Sequence, residues 1–392
     1  MSENIDLQND RFPEFLNNEE WKKHKLSEVL TEHGLKSDGT EEVFSVSVHK
    51  GVINQIEHLG RSFSAASTDH YKRVLPGDII YTKSPTGDFP FGIIKQSKID
   101  KAVIVSPLYG VFKPETYALG TILDSYFEFK GNTYNYLASI VQKGAKNTIN
   151  ILNDTFLSNG LFLPRDPKEQ QKIADCLSSL DDLISNENKR LDALKNHKKG
   201  LMQQLFPVEG EKVPKFRFPE FKDTGDWEEK TLDEVCMSIG SGKNKNESDG
   251  AFSLYGSTGI IGKTTTNSFV GDFILVARVG ANAGMLNKVS GSFGVTDNTL
   301  VLILKKSHQL NFVYYLLDNF TLNKLIFGSG QPLITAGQIK KLFFSFPEPL
   351  EQQKIASALS SIDEQVERQT QKIEHLKRHK KGLMQRLFPT IN

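Results

Sequence analysis

The residues in this chain best suited to chemistry sit in glycine-rich loops. "YGSTGIIGKTT" (Tyr255–Thr265) ends like a nucleotide-binding loop, with Gly262, Lys263 and Thr264 in a row. That pattern needs a glycine five places before Gly262 so that backbone amides can wrap a phosphate, and Ser257 stands there instead. No strand ending in aspartate follows to hold Mg²⁺. "FGSG" (Phe327–Gly330) mimics the glycine-rich loop of adenosylmethionine-dependent enzymes, but no Pro-Pro pair exists in the chain to form the partner loop that flips a base. Asp272 in "DFILVAR" lacks the following Glu-x-Lys of a metal-dependent nuclease. The nine histidines show no metal-binding spacing, and His197 and His379 recur beside lysine pairs. Cys176 and Cys236 are too few for a disulfide framework or a zinc site, and a reducing cytoplasm fits them. The sequence therefore predicts a binding protein with no catalytic residues, no metal and no cofactor of its own.

The same loops suit a polyanion. Cations hold phosphates, whereas amides and hydroxyls read base edges. The first half offers Arg61, Ser64, Tyr71 and Lys72 in "LGRSFSAASTDHYKR", Lys83 and Ser84 in "YTKSPTGD", and Lys143, Lys146 and Asn147 in "KGAKNT". The second half offers Lys243, Asn244 and Lys245 in "GSGKNKNES", Ser257, Thr258 and Lys263 in "YGSTGIIGKTT", Arg278 and Asn282 in "RVGANAG", and Gln331 in "GSGQP". Charge distribution agrees. The whole chain is only +1, yet residues 50–150 hold twelve basic and eight acidic residues, and residues 238–341 hold ten and five. Two mildly basic regions suit a bipartite anionic partner.

These loops need elements to place them, and those elements are duplicated. "HKKGLMQQLFP" (His197–Pro207) returns as "HKKGLMQRLFP" (His379–Pro389), 182 positions on. The match reaches back without gaps to "EQQKIA" at Glu169 and Glu351. "RFPEF" opens each half, at Arg11–Phe15 and Arg217–Phe221, followed by Trp21 or Trp227 and then "LSEV" or "LDEV", at an offset of 206. The middles share only traces, such as "PGDIIYTKS" and "VGDFILVAR", where a cation leaves a hydrophobic strand. Like parts meet a like partner twice, and unlike parts meet two different things.

The repeated part reads as a long helix. Ile173, Leu177, Leu180, Ile184, Leu191, Leu194, Leu201 and Leu205 form a heptad seam, and Ile355, Leu359, Ile362, Val366, Ile373, Leu376, Leu383 and Leu387 repeat its phase. Glu187 and Gln369, then Lys198 and Lys380, interrupt both seams at equivalent places. Asp166, Pro167 and Glu169 read as N-cap, first-turn proline and capping-box carboxylate, Gly200 and Gly382 as sites of a kink, and Pro207 and Pro389 as stops. Lys168–Glu187 carries two positive and five negative residues, and Lys189–Lys199 carries five and one, with the same polarity in the second copy. Antiparallel pairing sets unlike charges together. The expected fold is α/β (α+β): two β-rich domains separated by a long antiparallel two-helix coiled coil, an internal duplication with pseudo-twofold symmetry. The boundaries expected are 1–163, 164–210, 211–346 and 347–392. No membrane span or signal peptide is read from the sequence, which predicts a cytoplasmic protein.

With "PKEQQKIA", "PLEQQKIA", the "LKxHKKGLMQxLFP" ends, the "RFPEF…W" openings and "GQPLITAGQIKKLFFSFPEP" (Gly330–Pro349), the chain resembles the DNA-specificity subunit of Type I restriction-modification systems. The resemblance covers essentially the whole chain. The first half departs from it at Ala145–Pro167, which lacks the Gln-Pro. It implies a non-catalytic subunit whose two target-recognition domains each read half of a bipartite, asymmetric site in double-stranded DNA. Its coiled coil would set the gap and dock two modification (methyltransferase) subunits that use S-adenosylmethionine, joined by restriction (translocase/endonuclease) subunits that use ATP with Mg²⁺. The residues alone leave open a coiled-coil adaptor that binds protein or glycan partners through two β-rich lobes.

Overall fold

A computed structural model describes residues 11–61, 67–143, 149–326 and 332–388. It divides into two compact units, residues 1–187 with 372–392, and residues 188–371. Each long helix, Pro167–Leu205 and Pro349–Leu387, contributes one half to each unit.

In the first unit, Lys22–Lys25 pairs antiparallel with Gly160–Leu163 and so ties together the two ends of the β-rich region. Between them lies a four-stranded antiparallel sheet in the order Leu30–Glu32, Gly110–Pro114, Ile79–Tyr81, Ile94–Gln96. Alternate residues of a strand face opposite sides. Ile79 and Tyr81 accordingly pack under the helix Tyr117–Glu128, against Leu119, Ile122 and Leu123. Ile80 joins a second core with Val46, Val52, Val74, Val103 and Val105, from the strand pairs Phe44–Ser47 with Gly51–Asn54 and Lys72–Val74 with Val103–Val105.

The second unit is closed in the same way, by Glu228–Thr231 against Phe343–Phe346. Its interior differs. Six strands run in the order Cys236–Ser241, Thr299–Leu304, Phe269–Ala277, Leu286–Val295, Phe252–Gly256, Gly259–Thr264. All neighbours are antiparallel except Leu286–Val295 with Phe252–Gly256. The sheet curls on itself, because the chain beyond its first strand reaches the end of its fourth: Asn244 N donates to Val295 O at 2.9 Å. Leu275, Val289, Phe293, Val295 and Val301 fill the inside of the curl. Ile274, Val276, Leu300 and Leu302 face the helix Leu310–Phe320.

The repeated motifs make the same contacts in both units. Arg11 donates from Nε and Nη2 to the two carboxylate oxygens of Glu169 at 2.7 and 2.6 Å. Arg217 does the same to Glu351 at 2.9 and 2.6 Å, and this bond holds the Arg217 pKa above its ordinary value. The remaining nitrogen of each arginine donates to the chain eight residues on, to Glu19 O and to Gly225 O. The next motif residue, Gln170 or Gln352, donates to the carbonyl of the proline ending the closing strand, Pro164 or Pro347. Its side-chain oxygen accepts from the N-cap of the domain helix, from the Thr116 hydroxyl or the Gln309 amide. At the far end of each helix the phenylalanine of "LFP" lies against the opening tryptophan side of a core. Phe388 is 5.6 Å from Trp21 between ring centroids, and Phe206 is 5.5 Å from Phe312, which in turn is 6.0 Å from Trp227.

One expectation for the helices is corrected and one is met. Asp166 does cap, accepting from Lys168 N at 2.8 Å. Glu169 does not close a capping box; its carboxylate is taken up by Arg11 and by Trp21 Nε1. Both helices run through the glycine positions, Gly200 and Gly382, without interruption.

Within each unit the half-helices lie antiparallel. Lys372 meets Glu187 at 2.5 Å and Lys380 meets Asp181 in the first unit, and Lys198 meets Asp363 at 2.7 Å in the second. Along the seam Ile173, Leu177, Leu191, Leu205, Ile355, Leu359, Ile362, Ile373 and Leu387 are buried. Leu180, Ile184, Leu194, Leu201, Val366, Leu376 and Leu383 are half-buried. The polar interruptions are satisfied locally. Burial disfavours the charge of Lys380, but Glu128 and Asp181 outweigh it and raise its pKa. Lys198 sits 4.9 Å from the Tyr315 ring, and the Tyr315 hydroxyl donates to Asp363 at 2.6 Å.

A buried bidentate pair is costly to break from one side only. Arg11→Ala should destabilise the first unit by about 3–5 kcal/mol, and the double change Arg11→Met with Glu169→Leu by much less, because no charge is then stranded. Chemical denaturation of the two variants measures this. Equal losses would show that the pair acts through packing alone.

Candidate nucleic-acid interface

In the second unit the loop after Ser241 lies along the edge of the curled sheet. Its sequence alternates, Lys243-Asn244-Lys245-Asn246-Glu247, and the alternation divides the labour. Asn244 accepts from Val295 N at 3.0 Å and donates to Thr266 O at 3.2 Å. Asn246 accepts from Lys263 N at 3.1 Å. Glu247 accepts from the amide and hydroxyl of Thr265, both at 2.6 Å, and these bonds hold its pKa below the ordinary carboxylate value. Lys243, Lys245 and Lys263 are left exposed. Asn244, expected to touch a ligand, is a structural residue with both ends of its amide engaged. Asn246 and Glu247, not singled out from the sequence, are its companions; the lysine-polar alternation was the available signal.

A second group forms where strands end. Arg278 follows Phe269–Ala277 directly, its amide donating to Asn298 O at 3.1 Å and its Nη1 to Asp297 O at 3.3 Å. The Ser257 hydroxyl donates to the same Asn298 carbonyl at 2.8 Å. The turn 296–298 therefore holds Ser257 and Arg278 together, with Thr258 exposed beside Ser257. Asn282 is half-buried in the next loop, its carbonyl accepting from Met285 N. Asp297 and Asn298, both exposed, were missed in the sequence because only the folded sheet places them beside Arg278. The loop that resembled a nucleotide site is a hairpin, with Ser257 and Thr258 at its turn and Lys263 on its second strand.

In the first unit Lys83 takes the place that Arg278 has in the second, just past the strand Ile79–Tyr81. It is half-buried and has φ of 61°, a left-handed conformation uncommon for a side-chain-bearing residue and a pointer to function. Its backbone is so close to Gly92 that a Cβ there would fall 2.8 Å from Lys83 N. Burial, then the charge of Lys72, lowers the Lys83 pKa, and Glu32 opposes them. Lys72 itself reaches Glu32 at 3.5 Å. Ser84 and Arg61 are exposed. Tyr71 is a correction: it is 8% exposed, with its ring edge-on to His70, and is not free to meet a ligand. Lys143 lies on a short strand opposite Ile149. Ser64, Lys146, Asn147, Gln331 and the Phe327–Gly330 run fall outside the described residues.

Among the described residues no cluster of His, Cys, Asp and Glu could hold a metal ion, and no helix is long and apolar enough to cross a membrane.

Comparison with known proteins gives one direction. The model of the Type I restriction modification DNA specificity domain matches residues 224–378. The Type I restriction enzyme MjaVIII specificity subunit of Methanocaldococcus jannaschii is 29% identical over 270 residues, covering 60% of this chain and 63% of that protein. The chain thus spans somewhat less than two thirds of that relative. The Type-I restriction-modification system S subunit from M. genitalium has the same fold, with a TM-score of 0.62 at 14% identity, covering 96% of this chain and 98% of the other. A chain solved in work on complex assembly and conformational transition of the type I R-M system gives a TM-score of 0.54 at 16% identity, covering 95% and 98%. With the duplicated frame and its two unlike sheets, these matches make the chain similar to the DNA-specificity subunits of Type I restriction-modification systems, over part of its length in sequence and over nearly all of it in fold.

Proposed function

We propose that this chain is the non-catalytic subunit that reads a bipartite, asymmetric DNA site, one half through each β-rich unit. The observation that carries the reading is one frame built twice around two different sheets: the Arg-Glu pair, the bridging glutamine and the terminal phenylalanine recur, whereas the strand order and loops do not. A repeated frame fits two copies of one partner, and unlike sheets fit two unlike half-sites. On this reading the two long helices pair as an antiparallel coiled coil about a pseudo-twofold. They fix the gap between half-sites and dock two modification subunits, which supply S-adenosylmethionine chemistry. Restriction subunits bring ATP and Mg²⁺. This chain contributes neither cofactor nor catalytic group; it positions DNA.

Lys83 and Arg278 stand at the exits of equivalent strands and are assigned to phosphates. Arg278→Ala and Lys83→Ala should each weaken duplex binding and lower the slope of log affinity against log salt by about 1. Unchanged affinity and slope in both would remove these residues from the interface. Exchange of residues 30–162 for the equivalent region of a relative should change one half-site in the host methylome and leave the other intact; alteration of both halves would refute the two-unit reading.

A chain ending after Pro207 tests the frame. Its first unit lacks Phe388 and Lys380, and the repeat supplies their counterparts, Phe206 and Lys198, on a second copy. The fragment should dimerise and, with its modification subunits, methylate a symmetric site made of two inverted copies of the first half-site. A well-folded monomer, measured by light scattering, would contradict antiparallel pairing.

A further inference from the structure

We propose that the loop 242–247 is a preorganised phosphate clamp, in which Asn244, Asn246 and Glu247 are positioning residues that hold the ammonium groups of Lys243, Lys245 and Lys263 in a fixed row against the backbone of duplex DNA. The proposal rests on the DNA-binding reading above and goes beyond it by assigning the contact class and the residues that set it.

Three observations combine. First, the loop is fastened to the sheet at every polar residue of its alternation: Asn244 to Val295 and Thr266, Asn246 to Lys263, Glu247 to Thr265. Lysine side chains on a free loop lose much of their binding energy to ordering; a fastened backbone has that cost removed in advance. Second, the fastening is close enough to demand glycine. A Cβ on Gly242 would fall 2.0 Å from Val295 O, and one on Gly262 would fall 2.2 Å from Asn246 Oδ1. Third, the charges are not neutralised. The nearest carboxylate in sequence, Glu247, is exposed but is engaged by Thr264 and Thr265 rather than by a lysine. None of the three lysines has an acidic partner among the described residues. Lysines of the first unit contrast with them: Lys72 is held by Glu32, Lys98 by Asp124, and Lys101 by Glu42.

The occupant is the phosphate backbone rather than base edges. The clamp presents ammonium groups, which are point charges without the bidentate geometry that discriminates bases. Both ends of the Asn244 amide and the carbonyl oxygen of Asn246, which could discriminate, are engaged within the protein. Its effect on affinity should therefore be the same for every sequence and should fall steeply with salt.

The test uses the full chain and a fluorescent duplex, with anisotropy titrations over a range of salt, once on mixed sequence and once on a duplex carrying the methylated site. The triple variant Lys243→Gln, Lys245→Gln, Lys263→Gln should lower the salt slope by about 2.7, close to 0.9 for each phosphate no longer neutralised, and equally on both duplexes. Asn246→Ala keeps all three charges. It should still weaken binding and lower the slope by part of that amount, a readout that simple loss of stability would not move. Single Lys245→Gln and Lys263→Gln variants, at exposed positions, keep the test valid where a multiple variant fails to fold. A wild-type chain that binds neither duplex would defeat the DNA reading and the clamp together. A wild-type chain with a steep slope that the triple variant retains would overturn the clamp alone. A loss confined to the methylated-site duplex would show that these residues read bases, which also overturns the clamp.

Discussion

The bidentate pair between an arginine of the opening motif and the glutamate three residues into the helix is what the rest of each unit depends on. Arg11 and Glu169 are 158 residues apart in sequence, with side chains 4% and 1% exposed. Burying two charges is expensive, and an apolar substitute is often as stable. What the pair adds is geometry. A planar fork on a carboxylate tolerates one orientation, and the third nitrogen of the arginine is simultaneously bonded to the turn at Asn18 and Glu19. The start of the domain, its closing strand pair and the first turn of the helix are thereby set at fixed angles before any sheet residue is considered. Arg217, Glu351, Thr224 and Gly225 repeat the arrangement.

That constraint explains why so different a pair of sheets can share one frame. The contacts that fix the helix come from the closing strands, the N-cap of the domain helix and one aromatic cluster rather than from the recognition loops. The four-stranded first sheet and the curled six-stranded second one meet the same requirement, an apolar face toward the domain helix: Ile79 and Tyr81 in one, Ile274 and Val276 in the other. Beyond that face the strands are free to differ. On the proposed function, this is the condition for changing a half-site without disturbing the gap.

The frame was largely legible in the sequence because it is made of local patterns. Heptad spacing, the first-turn proline, terminal prolines and charge polarity each belong to a short window, and duplication shows each of them twice. What the window could not give was long-range partnership. Glu169 has the right spacing for a capping box, and only the fold reveals that Arg11 and Trp21 have taken its carboxylate. The sites fared less well for the same reason. Lys83 and Arg278 were visible as cations leaving hydrophobic strands. Tyr71 looked like a loop residue able to meet DNA and is buried. Asn244 looked like a reader of bases and is a fastener, since an amide in a polar loop has the same appearance in sequence whether its bonds go to the protein or to a ligand.

The distinction between fasteners and free groups also orders the second unit's surface. Around Arg278 the polar atoms that hold the site are backbone carbonyls, Asp297 O and Asn298 O, so the side chains of Asp297, Asn298 and Thr258 remain exposed. Around Lys245 the holders are the side chains of Asn244, Asn246 and Glu247, and the cationic groups left to a ligand are ammonium groups. A surface fastened through its backbone keeps varied side chains available and can discriminate; a surface fastened through its amides keeps charge and little else. On the proposed function, discrimination within the second half-site therefore belongs to the turn 296–298 with Ser257 and Thr258, and orientation on the duplex belongs to Arg278 and the loop 242–247.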